Sequence, residues 1–185
     1  MAYTRTNKHV THLKRIFRFI SLCALIALVP AVKGASPSLL RTPQVHAAGY
    51  SYTTQHIDLL TDTNAERTVA GLLPLTSNDL LDAAAQAKAD DMVARNYWSH
   101  ATPDGEDPWE FITHTGYAYQ SAGENLASGF STNSGVIDGW MKSPGHRKNL
   151  MSGTYTQVGF GSATSQNYQG DGPQTIIVAL YALPQ

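Results

Sequence analysis

Thr175-Ile176-Ile177-Val178-Ala179-Leu180-Tyr181 carries no charge, and five of its seven residues are β-branched or aromatic. Such a run reads as a strand buried inside a sheet, without the alternation of a half-exposed strand. Upstream, Gln157-Val158-Gly159-Phe160-Gly161 does alternate, and its glycines let a neighbouring backbone come close. A polar Gly/Asn/Gln stretch, residues 162–173, links the two as a hairpin connection. Between residues 123 and 127, Gly-Glu-Asn-Leu-Ala has no helical period and reads as a short strand or ordered loop.

The helical patterns lie mostly earlier. Residues 54–70 place Ile57, Leu60 and Asn64 on one stripe, with Gly71 as the stop. Asn64 and Arg67, three apart, read as a cap or surface pair. The next helix has Thr76 or Ser77 as its N-cap. Leu81, Ala84, Ala85 and Met92 form one face, with Ala89 at its margin. Lys88 falls within that stripe, so its stem is expected to pack while its amine reaches water. The alanines imply close approach of a neighbour, and the helix should end near Arg95 or Asn96.

Thr102-Pro103-Asp104-Gly105 is a turn by composition. Asp107-Pro108-Trp109-Glu110 then predicts a helix start: Asp107 as N-cap, Pro108 first, Glu110 as capping-box partner. A further helix begins near Thr132, burying Val136, Ile137, Trp140 and Met141, and Ser143-Pro144-Gly145 ends it. Helices first and strands later predict an α+β fold, with helices packed on a mainly antiparallel sheet.

Charge divides the chain. Seven of its 13 bases precede residue 48 and none of its 14 acids does, leaving six bases against 14 acids downstream, a net −8. Nucleic acid as a partner is excluded on bulk charge, because it demands a basic surface. The N-terminal bases end at Lys14, Arg15 and Arg18, and residues 19–29 are then almost wholly apolar before Pro30. This is the form of a secretory signal. Residues 1–34 are therefore assigned to a signal peptide or N-terminal anchor, 35–52 to a linker or mature N-terminal tail, and 53–185 to the folded domain. Cleavage after Val45-His46-Ala47 or Val32-Lys33-Gly34 is favoured; an uncleaved anchor over residues 16–32 is the alternative, and the membrane enters only through it. The expected location is extracellular, or anchored at the cell surface. The only cysteine, Cys23, lies in the apolar run, so the exported domain has no disulfide to rely on.

Two histidines stand where helices meet loops: His100, after Asn96-Tyr97-Trp98-Ser99, and His146, in Ser143-Pro144-Gly145-His146-Arg147-Lys148-Asn149-Leu150. Glu124 lies between them in sequence. Two imidazoles and a carboxylate can make an incomplete shell for Zn²⁺ or another divalent cation, or serve acid–base chemistry. Their separations, 24 and 22 residues, are not those of a helix-borne metal motif. On the residues alone, a hydrogen-bonded structural histidine is the commoner reading at each position. A Ser143–His146 dyad lacks a nucleophile elbow and an orienting acid. His114 reads as surface or a C-terminal cap, and His56 as surface.

In this order, Asn-Tyr-Trp-Ser-His100, Pro-Asp-Gly, Asp-Pro-Trp, Ala-Gly-Glu124-Asn-Leu-Ala, Trp140-Met-Lys-Ser-Pro-Gly-His146-Arg-Lys-Asn-Leu and Gln-Val-Gly-Phe-Gly closely resemble the bacterial secreted branch of the CAP superfamily. This is the SCP-like extracellular domain of cysteine-rich secretory proteins, antigen 5 and pathogenesis-related proteins. The resemblance covers about residues 55–183. It implies a three-layer α-β-α sandwich around a central, mainly antiparallel sheet. It also implies a cleft lined by two histidines and acidic residues, matched here by His100, Glu124 and His146. Many eukaryotic members carry a second glutamate three residues after the tryptophan; here that position is Ser143, and Asp138 falls on the opposite helical face from Trp140.

Three functions follow in order. The first is an extracellular binding or interaction module for a peptide, lipid or cell-wall component. The second is a metal-assisted, peptidase-like hydrolase with His100, Glu124 and His146 as catalytic residues, His100 and His146 holding the metal. The third is a structural domain whose polar cluster ties loops together.

Overall fold

The computed structural model describes residues 2–6 and 52–185. The apolar run, both cleavage points, Cys23 and all of the linker but Tyr52 lie outside them. Ten elements follow in order: β1 (Ala2–Thr6), α1 (Tyr52–Val69), β2 (Thr76–Ser77), α2 (Asp79–Ala94), α3 (Trp109–His114), β3 (Tyr119–Ser128), α4 (Asn133–Lys142), α5 (Pro144–Leu150), β4 (Gln157–Ser165) and β5 (Gln174–Pro184). The strands form one sheet in the order β1-β3-β5-β4-β2. All pairs are antiparallel except the two-residue β2–β4 pair.

The central strand β5 contains the run from Thr175 to Tyr181, and alternation along it separates two cores. Ile176, Val178, Leu180 and Ala182 pack with α2 and α3 residues such as Leu81, Ala85, Met92 and Trp109. Ile177, Ala179 and Tyr181 pack on the other side with Leu59 of α1, Val136 and Trp140 of α4 and Leu150 of α5. The result is the α-β-α sandwich, helices on both faces of a mainly antiparallel sheet. Its strand β5 reads as near-continuous apolar sequence because both faces are covered.

Close packing of α2 on β4 depends on two glycines. A Cβ on Gly159 would lie 2.1 Å from the Leu81 carbonyl carbon, and one on Gly161 2.2 Å from that of Ala85. The helix also satisfies the strand: Phe160 N donates to Asp82 Oδ1 at 2.7 Å, and Ser162 N to Gln86 Oε1 at 3.0 Å. Beyond the short β2 pairing, α2 thus covers backbone groups that an edge strand would leave open.

Several expectations are corrected. The α2 cap is Asn78, whose Oδ1 accepts from Leu80 N and Leu81 N; Thr76 and Ser77 are taken up by β2. The α1 stripe is rotated by one residue: Leu59, Thr63 and Arg67 are the buried positions. Arg67 is no surface residue. Its guanidinium donates to the carbonyls of Leu73, Leu150 and Ser152 at 2.8–2.9 Å. Asn64 is occupied in its own way, bonding Leu75 through both its amide and its carbonyl. The N-cap falls one residue after Asp107: α3 starts at Trp109, with Pro108 as its cap residue. Pro144 ends α4 as expected, but it also opens α5 as a first-turn proline.

Candidate functional site

The short segment between α2 and α3 carries His100, and the fold holds it from three directions. From α2, Lys88 turns inward, and its amine donates to Ser99 O at 3.1 Å, His100 O at 2.7 Å and Tyr97 Oη at 2.9 Å. The expectation that this amine reaches water is overturned, since Lys88 is fully buried. A buried cation is tolerated because every proton finds an acceptor and because two rings, Tyr97 and Phe111, lie 4.7 and 5.4 Å away. Burial pushes the Lys88 pKa down, opposed by the charges of Glu124 and Asp91. From the β4–β5 connection, Tyr168 Oη donates to Tyr97 O, and Gln169 bonds Asn96 through its backbone N–H and its side-chain amide. Asp91, also in α2, adds to the first hold by accepting from Tyr97 Oη at 2.7 Å.

The third hold is the side chain of His100 itself. Its Nδ1 lies 2.5 Å from Oε1 of Glu124, with the imidazole side chain 15% exposed and the carboxylate fully buried. Glu124 lies in β3 between Ala122 and Leu126, residues of the α2-side core. A strand places alternate side chains on one face, so Glu124 meets His100 while Asn125 turns toward α5.

His146 belongs to the α5 side. Its carbonyl accepts from Asn125 Nδ2 at 3.0 Å, and its ring lies 6.4 Å from that of Trp140 at an angle of 48°. Asn149, one turn on, donates to the Glu124 carbonyl and to Asn125 Oδ1, both at 3.0 Å. His146 is therefore tied to the Glu124 strand through backbone and amide groups. Direct pairing joins His100 with Glu124. Asp138 is exposed, as its helical angle predicts, and His114 is exposed at the end of α3.

No group of three or more histidine, cysteine, aspartate or glutamate side chains among the described residues is placed to hold a metal ion. Of the Glu124 carboxylate, Oε1 is engaged by His100, while Oε2 is buried with no hydrogen-bond partner.

The site contains residues that motif reading passed over. Lys88, Tyr97, Asn125 and Asn149 are all buried and polar or amphipathic, and each holds a segment bearing His100, Glu124 or His146. Lys88 did leave a signal: a lone cation in an apolar stripe asks for buried acceptors. Asn149 left one too, in the polar residue just before buried Leu150.

The sequence profile of the CAP, cysteine-rich secretory protein family matches residues 60–181, about two thirds of the chain. The chain belongs to the CAP family. The chain is similar to two curated Bacillus subtilis (strain 168) proteins: YkwD, 41% identical over 103 residues, and the membrane protein YlbC, 31% identical over 109. The matches cover 56% and 59% of this chain but only 40% and 32% of those proteins. Among solved structures, an extracellular protein containing an SCP domain from Bacillus anthracis str. Ames aligns with a TM-score of 0.62 at 25% identity, over 70% of this chain and 40% of that one. An outer surface protein of Borrelia burgdorferi also gives 0.62, at 20% identity, over 74% and 97%. The second supports the fold alone.

Proposed function

We propose that this CAP domain is an extracellular or surface-exposed binding module, and that the His100–Glu124 unit is a preorganised contact for its ligand, a peptide, lipid or cell-wall component. The observation that carries this reading is the commitment of the pair. Glu124 Oε1 is spent on His100 Nδ1, and His100 O on the buried Lys88 amine. A histidine held at both its ring and its backbone presents one fixed face at little entropic cost on binding. A metal-assisted hydrolase would need His100 and His146 to share an ion with Glu124, and the described residues supply no such grouping.

Export is supported by the basic-then-apolar start of the chain and by a similar solved structure described as an extracellular protein. The net −8 downstream of residue 47 argues against nucleic acid. The test is equilibrium binding of the full chain to isolated cell-wall sacculi, to lipid vesicles and to an immobilised peptide library, beside His100→Ala. Enrichment of one of these, lost in the variant while its thermal midpoint is kept, is the expected result. Binding indifferent to His100, or none, would remove the site from the account.

A further inference from the structure

Between residues 52 and 185 the chain has six bases, and the fold consumes three. Arg67 and Lys88 are buried on backbone carbonyls, and Arg95 pairs with Asp91 and Asp104. The other three, Lys142, Arg147 and Lys148, are exposed, and no hydrogen bond or ion pair of their side chains occurs among the described residues. All three line one groove of about 780 Å³. Lys142 ends α4, while Arg147 and Lys148 follow in α5. Leu72, Met141 and Met151 supply an apolar part of the lining, and no carboxylate lines it. In residues 48–185, of net −8, the three cations that the fold does not consume all lie along this one groove.

We propose that this groove binds an acidic peptide segment of a partner protein. Its carboxylates would meet Lys142, Arg147 and Lys148, and a neighbouring apolar side chain would lie against Leu72, Met141 and Met151. Charge decides among occupants. Residues 1–47 of this chain hold seven bases and no acid, so they are no complement to the groove. An anionic bilayer or a long polyanion would face the whole domain and its −8, which repels both. A short segment inside the groove feels the local cations instead, because exposed charges farther than about 10 Å are largely screened. The apolar lining also needs a counterpart, which a bare phosphate chain lacks. Methionines adapt to varied side chains. The end of α1 and its link to β2 expose Val69 (88%) and Leu73 (83%), leaving further apolar surface beside Ala70 and Leu72 of the lining. His100 and Glu124 line no part of the groove, so this site is separate from that pair.

The test is titration calorimetry of the full chain with a capped synthetic peptide alternating glutamate and leucine, and with its glutamine counterpart. The glutamate peptide should bind, and more weakly as salt rises. The glutamine peptide should lose about tenfold or more in affinity. Arg147→Gln/Lys148→Gln should cost the glutamate peptide about tenfold and flatten the salt dependence, with circular dichroism and the thermal midpoint unchanged. Lys142→Glu serves as a second variant with the same expected direction. His100→Ala should leave this binding intact, which separates its failure from that of the His100-dependent function. Equal affinity for the two peptides, or no effect of either variant, would overturn the proposal. So would cation-dependent binding to phosphatidylglycerol vesicles in place of the peptide, or self-association abolished by the same variants.

Discussion

The amine of Lys88 donates a 2.7 Å hydrogen bond to the carbonyl oxygen of His100, twelve residues away and beyond the end of α2. A residue on the buried face of a helix thereby fixes the backbone of the residue that Glu124 holds by its ring. Helix, loop and strand β3 meet in these two contacts.

Lys88→Met keeps most of the stem volume and removes all three donors. Tyr97 Oη and the carbonyls of Ser99 and His100 lose a partner. The expected cost is about 1–3 kcal/mol, read as a lower urea midpoint with an unchanged slope. Amide exchange should quicken around residues 97–101 more than in β5. Uniform exchange across both would show that Lys88 is a general core residue and not a brace for the loop.

Gly161→Ala tests the seat of α2 on the sheet. The new methyl would lie 2.2 Å from the Ala85 carbonyl carbon and from Gln86 N, which are backbone atoms that cannot turn aside. The helix must lift, breaking the Gln86–Ser162 pair as it does. A loss of about 1–3 kcal/mol or more is expected in chemical denaturation. A neutral effect would contradict the packing described.

Alkaline pH should expose the buried phenols. Burial raises the pKa of Tyr97 and Tyr181, and pushes that of Tyr168 up to about 12, from a usual value of 10.0. Above pH 10 the unfolded chain releases these protons while the folded chain keeps them, so the unfolded state binds fewer and stability falls as pH rises. Below pH 10 these groups add no slope. The urea midpoint measured from pH 8 to 12 should be level in this respect and then decline. Tyr168→Phe should soften the decline, although it also loses the bond to Tyr97 O.

The architecture was legible because it rests on apolar pattern. The α2 stripe of Leu81, Ala84, Ala85, Ala89 and Met92 is fully buried as predicted, and so are Val136, Ile137 and Trp140. The helix-then-strand order predicted α+β, and the ordered motifs predicted the layers. What pattern missed is where polar groups take core positions. Arg67 and Lys88 look like surface residues until the carbonyls that satisfy them are in place, and those carbonyls come from residues 6–85 positions away in the chain. The α2 cap fell one residue late because β2, a strand of two residues, has no sequence period of its own. The edge strand β1 and the restart of a helix at Pro144 were missed for a like reason: one depends on pairing with distant β3, the other on Arg67 closing its far end. At the site, His100 and Glu124 were named and are joined; His146 was named, and its backbone is tied to their strand through Asn125.

The central claim is that the His100–Glu124 unit holds a ligand contact and does not turn over a peptide bond. The direct measurement is mass spectrometry of a diverse peptide library incubated with the full chain in the presence of Zn²⁺, Ca²⁺ or Mg²⁺, beside His100→Ala and Glu124→Gln. Every peptide is expected to remain intact with the wild type under all three ions. Cleavage by the wild type that disappears in both variants would contradict the claim.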